Sequence, residues 1–133
     1  LTSQYAYTNE LKTTPKNMAS LTPGERVYVG FTARNTGNTT WKNSGANFIS
    51  VGTLNPMERY STFATGSNWL SPTRPATMGV SQPTVAPGET ATFEFWMTAP
   101  ETTGVLNERF GLVINGISWL NDTGLSYYTN VGQ

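Results

Sequence analysis

The chain has no cysteine and no histidine. Without cysteine, no disulfide can staple the fold and no thiolate can act as nucleophile or metal ligand. Without histidine, neither a His-based triad nor an imidazole metal site can be built. Asp122 is the sole aspartate, so a carboxylate cage for a hard cation is not expected, and no cofactor is implied. Charged residues are 12% of the chain, where about 25% is usual. Eight basic residues balance eight acidic ones, with no Lys/Arg run or stripe. Nucleic acid is therefore not an expected partner, and the electrostatic footprint of membrane binding is missing. No apolar run approaches the roughly 18–20 residues that span a bilayer. Catalysis would have to rest on the seven glutamates, as a carboxylate pair for glycoside hydrolysis. They are scattered: Glu25 and Glu89 fall in turns, and Glu94 and Glu108 are expected at outward strand positions. A solvated surface, not an enzyme, is the reading.

Thr, Ser, Asn and Gly occupy the room the charges leave. Such a composition suits short strands and tight turns under an uncharged polar surface, and it is common in secreted bacterial domains. The 133 residues suit one domain, 1–133, with a single core. A start at Leu1-Thr2-Ser3 fits a processed or excised module of a longer chain. An extracellular or cell-surface location is expected, with the module monomeric. Two sequons, Asn38-Thr39-Thr40 and Asn121-Asp122-Thr123, have meaning only in a eukaryotic secretory setting.

No segment sustains a helical apolar period. The informative segments alternate, and Gly, Pro and Asn punctuate them, which predicts an all-β sandwich. Tyr5 and Tyr7 share a face of a first edge strand over Gln4 to Leu11, and Met18 and Leu21 can dip into the core after it. Thr22-Pro23-Gly24-Glu25 is a turn, with Pro presetting φ and Gly supplying a positive φ. Next, Val27, Val29, Phe31 and Ala33 face inward, and Tyr28, Gly30, Thr32 and Arg34 outward. Asn35-Thr36-Gly37-Asn38 turns the chain, with Gly37 expected to be left-handed, and Trp41 opens another strand. Over Asn47 to Thr53 the register is ambiguous: either Phe48 or the pair Ile49/Val51 faces in. Residues 54–77 are a long irregular insertion, and connections of that length are usually functional or hold short strands. Met78-Gly79-Val80 reads as a brief strand. Ala86-Pro87-Gly88-Glu89 repeats the earlier turn chemistry, followed by Ala91, Phe93, Phe95 and Met97 inward and Thr92, Glu94 and Trp96 outward. Phe110, Leu112 and Ile114 form another inward face; Asn115-Gly116 signals a two-residue hairpin; Leu125, Tyr127, Thr129 and Val131 face inward in the last strand.

Asn35-Thr36-Gly37 before Trp41, Pro87-Gly88-Glu89, Ala99-Pro100 with Gly104, then Arg109-Phe110-Gly111-Leu112, Gly116 and Trp119 occur in that order. This ordered set, over roughly Leu21 to Val131, resembles the NBR1-like immunoglobulin-like domain, also called the four-tryptophan or FW domain, as a divergent bacterial member. The family's pattern places Trp where this chain has Phe31 and Phe110, and Phe-Gly where it has Trp119-Leu120. The resemblance implies an immunoglobulin-like β-sandwich of two antiparallel sheets and about seven to nine strands. The strands around residues 27–34 and 91–97 would share one sheet. The strand opened by Trp41 and those at 110–114 and 125–131 would form the other. It makes Asn35, Gly37, Trp41, Pro87, Gly88, Phe110 and Trp119 structural, with the Trp41 indole N–H finding a carbonyl.

Function then has to come from outward or loop aromatics. Trp96 beside Glu94 could lie over Gly30 with Tyr28 nearby, either shielding the glycine or offering a stacking platform for sugars. Tyr60, Phe63, Trp69 and Arg59 of the insertion either pin it down or bind. The reading reached is a non-catalytic extracellular interaction module or domain spacer with a protein partner. The alternative is a carbohydrate-binding module using the exposed aromatics.

Overall fold

The two most regularly alternating runs pair along their full length. The computed structural model describes residues 7–12, 20–54 and 57–132. Strand β2 (Arg26–Asn35) lies antiparallel to β6 (Thr90–Thr98), with Val29 opposite Phe95, Phe31 opposite Phe93 and Ala33 opposite Ala91. The inward residues of both strands thus meet on one face, and the Phe31 and Phe93 rings stack with centroids 5.2 Å apart. Strand β1 (Asn9–Leu11) adds to the far edge of β2. Tyr5 and Met18 lie outside the described residues; Leu21 is buried.

The twin Pro-Gly-Glu turns have a structural reason. In each, Gly24 or Gly88 takes a positive φ and the glutamate carboxylate accepts a backbone N–H, from Thr22 and Ala86 respectively. Gly24 N–H then bonds Ala99 at the end of β6, and Gly88 N–H bonds Asn35 at the end of β2. Because β2 and β6 are antiparallel, each turn closes the ladder at the opposite end from the other.

The second sheet is built on β7 (Gly104–Ile114). It pairs with β9 (Ser126–Val131) along its first half, and with β4 (Ile49–Thr53) and β8 (Ser118–Trp119) along its second. Between the sheets lie Val29, Phe31, Phe93, Phe95, Ile49, Val51, Phe110, Leu112, Leu125 and Tyr127. Burying each large apolar side chain contributes about 1.5–3 kcal/mol. Tyr127 also crosses the sandwich, its hydroxyl donating to the Gly30 carbonyl at 3.2 Å. Burial holds the phenol well above its ordinary value of 10.0. The unfolded chain releases this proton near pH 10 and the native state keeps it, so stability is full below pH 10 and falls as pH rises beyond. Tyr127→Phe should flatten that alkaline loss, by up to about 1.4 kcal/mol per pH unit, at a cost of about 1 kcal/mol at neutral pH. Urea titrations from pH 8 to 11 measure both.

Several sequence expectations are corrected. Trp41–Lys42 (β3) pairs with Thr84–Val85 (β5) in a two-stranded ladder, and the place beside β7 belongs to β4. Met78 makes a single bridge to Phe93, and Val80 is 97% exposed, so residues 78–80 form no strand. The hairpin at Asn115-Gly116 has a three-residue loop, because Ser118 pairs with Ile114. Ile49 and Val51 are the inward pair, with Phe48 only half-buried. Gly37 is not left-handed; it donates its N–H to Asn35 Oδ1 at 3.1 Å. The fully buried Trp41 indole N–H has no hydrogen-bond partner among the described residues.

The stretch 57–77 closes one side of the sandwich. Ala76 and Thr73 carbonyls accept from Val51 and Thr53 on the outer edge of β4, and the Phe63 carbonyl accepts from Thr98 on the outer edge of β6. Covering both edges removes sites where another chain could add a strand. Glu108 explains how the stretch is held. It shares the inward face with Phe110, so its side chain is only 6% exposed rather than solvated. Arg59 pairs with it and the Ser61 hydroxyl donates to it.

Candidate partner-binding face

With both edges near 57–77 covered, the outer face of β2 and β6 is where the sequence-predicted contact residues gather. Register places Tyr28 directly opposite Trp96, and Gly30 opposite Glu94. Trp96 therefore does not cover Gly30. The gap over the glycine is filled by the Glu94 stem: a Cβ on Gly30 would lie 3.0 Å from Glu94 Cγ. Tyr28 and Trp96 form a tilted pair, centroids 5.0 Å apart and planes at 56°. They are 52% and 38% exposed. Arg26, not singled out from the sequence, lays its guanidinium over the Trp96 ring at 4.4 Å. The period-two alternation that set Tyr28 outward sets Arg26 outward too, and that signal could have found it.

Beside this cluster lies a groove of about 390 Å³ lined by Tyr28, Thr92 and Glu94 from the sheet and by Thr77, Gly79, Ser81 and Gln82 from the approach to β5. Gln82 is committed to structure: its amide accepts from Thr92 N–H and donates to the Thr90 carbonyl, capping the edge of β6. The Tyr28 hydroxyl reaches Glu94 Oε1 at 3.4 Å. Desolvation, then the Glu94 charge, hold the Tyr28 phenol above its ordinary value.

The insertion aromatics part ways. Phe63 is buried and offers no surface to a ligand. Trp69 packs edge-on against Phe95 and Phe110 and donates its indole N–H to the Trp96 carbonyl at 2.6 Å, so it pins the insertion to β6. Tyr60 is 78% exposed and sits on a second concavity with Trp69 and Leu70, which shares no lining residue with the groove beside Glu94. Trp119 covers Gly52 of β4, where an added Cβ would lie 2.6 Å from the ring, and Arg74 covers Trp119 in turn. No group of three or more His, Cys, Asp or Glu side chains among the described residues could hold a metal ion. Among the described residues, no helix is long and apolar enough to cross a membrane.

Two antiparallel sheets packed on a common core, one holding β2 with β6 and the other β7 with β9, define an immunoglobulin-like β-sandwich. The chain belongs to the family described as the Ig-like domain from next to BRCA1 gene, which matches residues 14–119. That span includes β2, the groove and Trp96. No match is found among the curated proteins.

Proposed function

We propose that the chain is a non-catalytic protein-interaction module, in a bacterial secreted or surface protein, that binds its partner through the outer face of β2 and β6. Membership in an Ig-like family supports interaction as the general role. The observation carrying the choice of face is the exposed Arg26–Trp96–Tyr28 cluster, since Trp, Tyr and Arg dominate binding hot spots. The same geometry speaks against a sugar platform. Such a platform needs open, roughly coplanar rings, whereas these rings are tilted and one face of Trp96 is occupied by Arg26.

The test uses a photo-activatable residue at Val80, on the exposed rim beside Gly79. A discrete protein adduct, identified by mass spectrometry and lost with Trp96→Ala or Tyr28→Ala, is expected. Both variants should keep their folding stability within about 1.5 kcal/mol, because the side chains are partly exposed. Absence of an adduct, or an adduct indifferent to both substitutions, overturns the face. Glycan-array binding lost with Trp96→Ala would replace the protein reading with the carbohydrate one.

A further inference from the structure

Among the described residues, Glu94 and Glu101 are the acidic residues in no ion pair and no turn contact, and of the two Glu94 lines a groove. Four carboxylates are ion-paired, Glu10 with Lys12 and the other three with arginines. Glu25 and Glu89 are engaged by backbone N–H groups of their own turns. Glu94 has no ion pair among the described residues, and its one described polar contact is the long one to the Tyr28 hydroxyl. Among the described residues it is also the only charged one lining the groove beside it. Gly30 lets the Glu94 stem lie flat across β2, because a side chain there would be in tight contact with Cγ. Trp96 already carries its own cation in Arg26, whereas the described cation contacts leave the Tyr28 ring without one. A concavity lined by a carboxylate and an aromatic ring fits a long basic side chain: the charge meets the carboxylate and the stem lies along the ring.

We propose that this groove receives an arginine or lysine side chain of the protein partner, with Glu94 as its charge acceptor and Tyr28 as its wall. The inference rests on the reading of this face as a protein-binding surface and names the chemistry that the partner presents. Charge complementarity selects the occupant, since an acidic segment would meet Glu94 unscreened and a neutral one would leave it unpaired.

The probes are N-acetyl-arginine amide, N-acetyl-lysine amide and the neutral N-acetyl-citrulline amide, titrated into the full chain and followed by amide chemical shifts. Saturable shifts confined to Tyr28, Thr92, Glu94 and residues 79–82 are expected for the two cations. Glu94→Gln should weaken binding about two- to fivefold, as should citrulline, the range for losing an ion pair at an exposed carboxylate. Glu101→Gln, which removes a charge exposed outside the groove, should leave binding unchanged. Equal titration by citrulline, or binding undiminished in Glu94→Gln, overturns the proposal. A Val80 cross-link lost with Trp96→Ala but kept with Glu94→Gln removes the basic occupant and leaves the interaction face standing. A cross-link indifferent to Trp96, Tyr28 and Glu94 removes both.

Discussion

Glu108→Ala is expected to destabilise the protein by about 3–5 kcal/mol, the range for breaking a buried ion pair by removing one partner. The carboxylate is almost wholly enclosed, on the core face of β7 two residues before Phe110. Arg59 Nη1 bonds Glu108 Oε2 at 3.2 Å, Nη2 bonds the other oxygen, and the Ser61 hydroxyl donates as well. Ser61 in turn accepts the N–H of Phe63, and Arg59 Nε bonds the Leu54 carbonyl. Removing the carboxylate leaves a partly buried guanidinium and a buried hydroxyl without their acceptor, and it loosens the stretch that covers the edges of β4 and β6. Thermal unfolding should fall by about 10–20 °C for a domain of this size. The double variant Glu108→Leu with Arg59→Leu should lose much less than the sum of the two single variants. Apolar groups of similar volume need no counter-charge, and the coupling between contacting charges is what the cycle isolates. Additive losses would mean that the two side chains act independently.

Asn35→Asp should cost a comparable amount for a different reason. The side chain is fully buried at the end of β2, with Nδ2 donating to the carbonyls of Thr39 at 2.8 Å and Val85 at 3.1 Å, while Oδ1 accepts from Gly37. Aspartate keeps the acceptor but turns two attractive donor contacts into oxygen facing oxygen, around a charge that meets no cation in the contacts of Asn35 among the described residues. A loss of about 3–5 kcal/mol at pH 7 follows from the burial of an unpaired charge and two unsatisfied carbonyls. The folded-state pKa of that carboxyl must rise above the unfolded value of about 3.9. The variant is therefore least destabilised at acid pH and loses stability as pH rises through the raised folded value. Urea unfolding at pH 4 and pH 7 tests the sign: a variant equally weakened at both would show that the introduced carboxyl has the same pKa folded and unfolded, so that the buried site does not penalise its charge.

These two residues mark where the sequence was legible and where it was not. Asn35 before Thr36-Gly37 and a following Trp41 is a local pattern, and its bonds to Thr39 and Gly37 are local, while its bond to Val85 spans 50 residues. Glu108 also lay within reach of local reasoning. Carrying the alternation of Phe110, Leu112 and Ile114 back by two residues sets it inward, but a lone glutamate reads as solvated until its cation is found. That cation, Arg59, lies 49 residues away in a stretch with no periodic pattern. The ambiguity over Asn47 to Thr53 has the same origin. All five residues of β4 are buried, because the stretch 57–77 and Trp119 cover the face that alternation would leave to solvent.

On the candidate face, alternation alone set Tyr28 and Trp96 outward, and the family resemblance made β2 and β6 neighbours. Which outward residue meets which was a matter of register, and a shift of two residues separates Trp96 over Gly30 from Trp96 beside Tyr28. The tertiary structure decided it by matching inward faces from Val27 opposite Met97 to Ala33 opposite Ala91. The sequence by itself determined the all-β class, the apolar inward positions of the long strands and the twin Pro-Gly-Glu turns, because each depends on neighbours within a few residues, and it determined the family through short motifs in a fixed order. Only the tertiary structure decided that Trp69 is a pin, that Glu108 is paired and that Glu94 is left facing a groove, because a charge or a ring takes its role from chain remote in sequence.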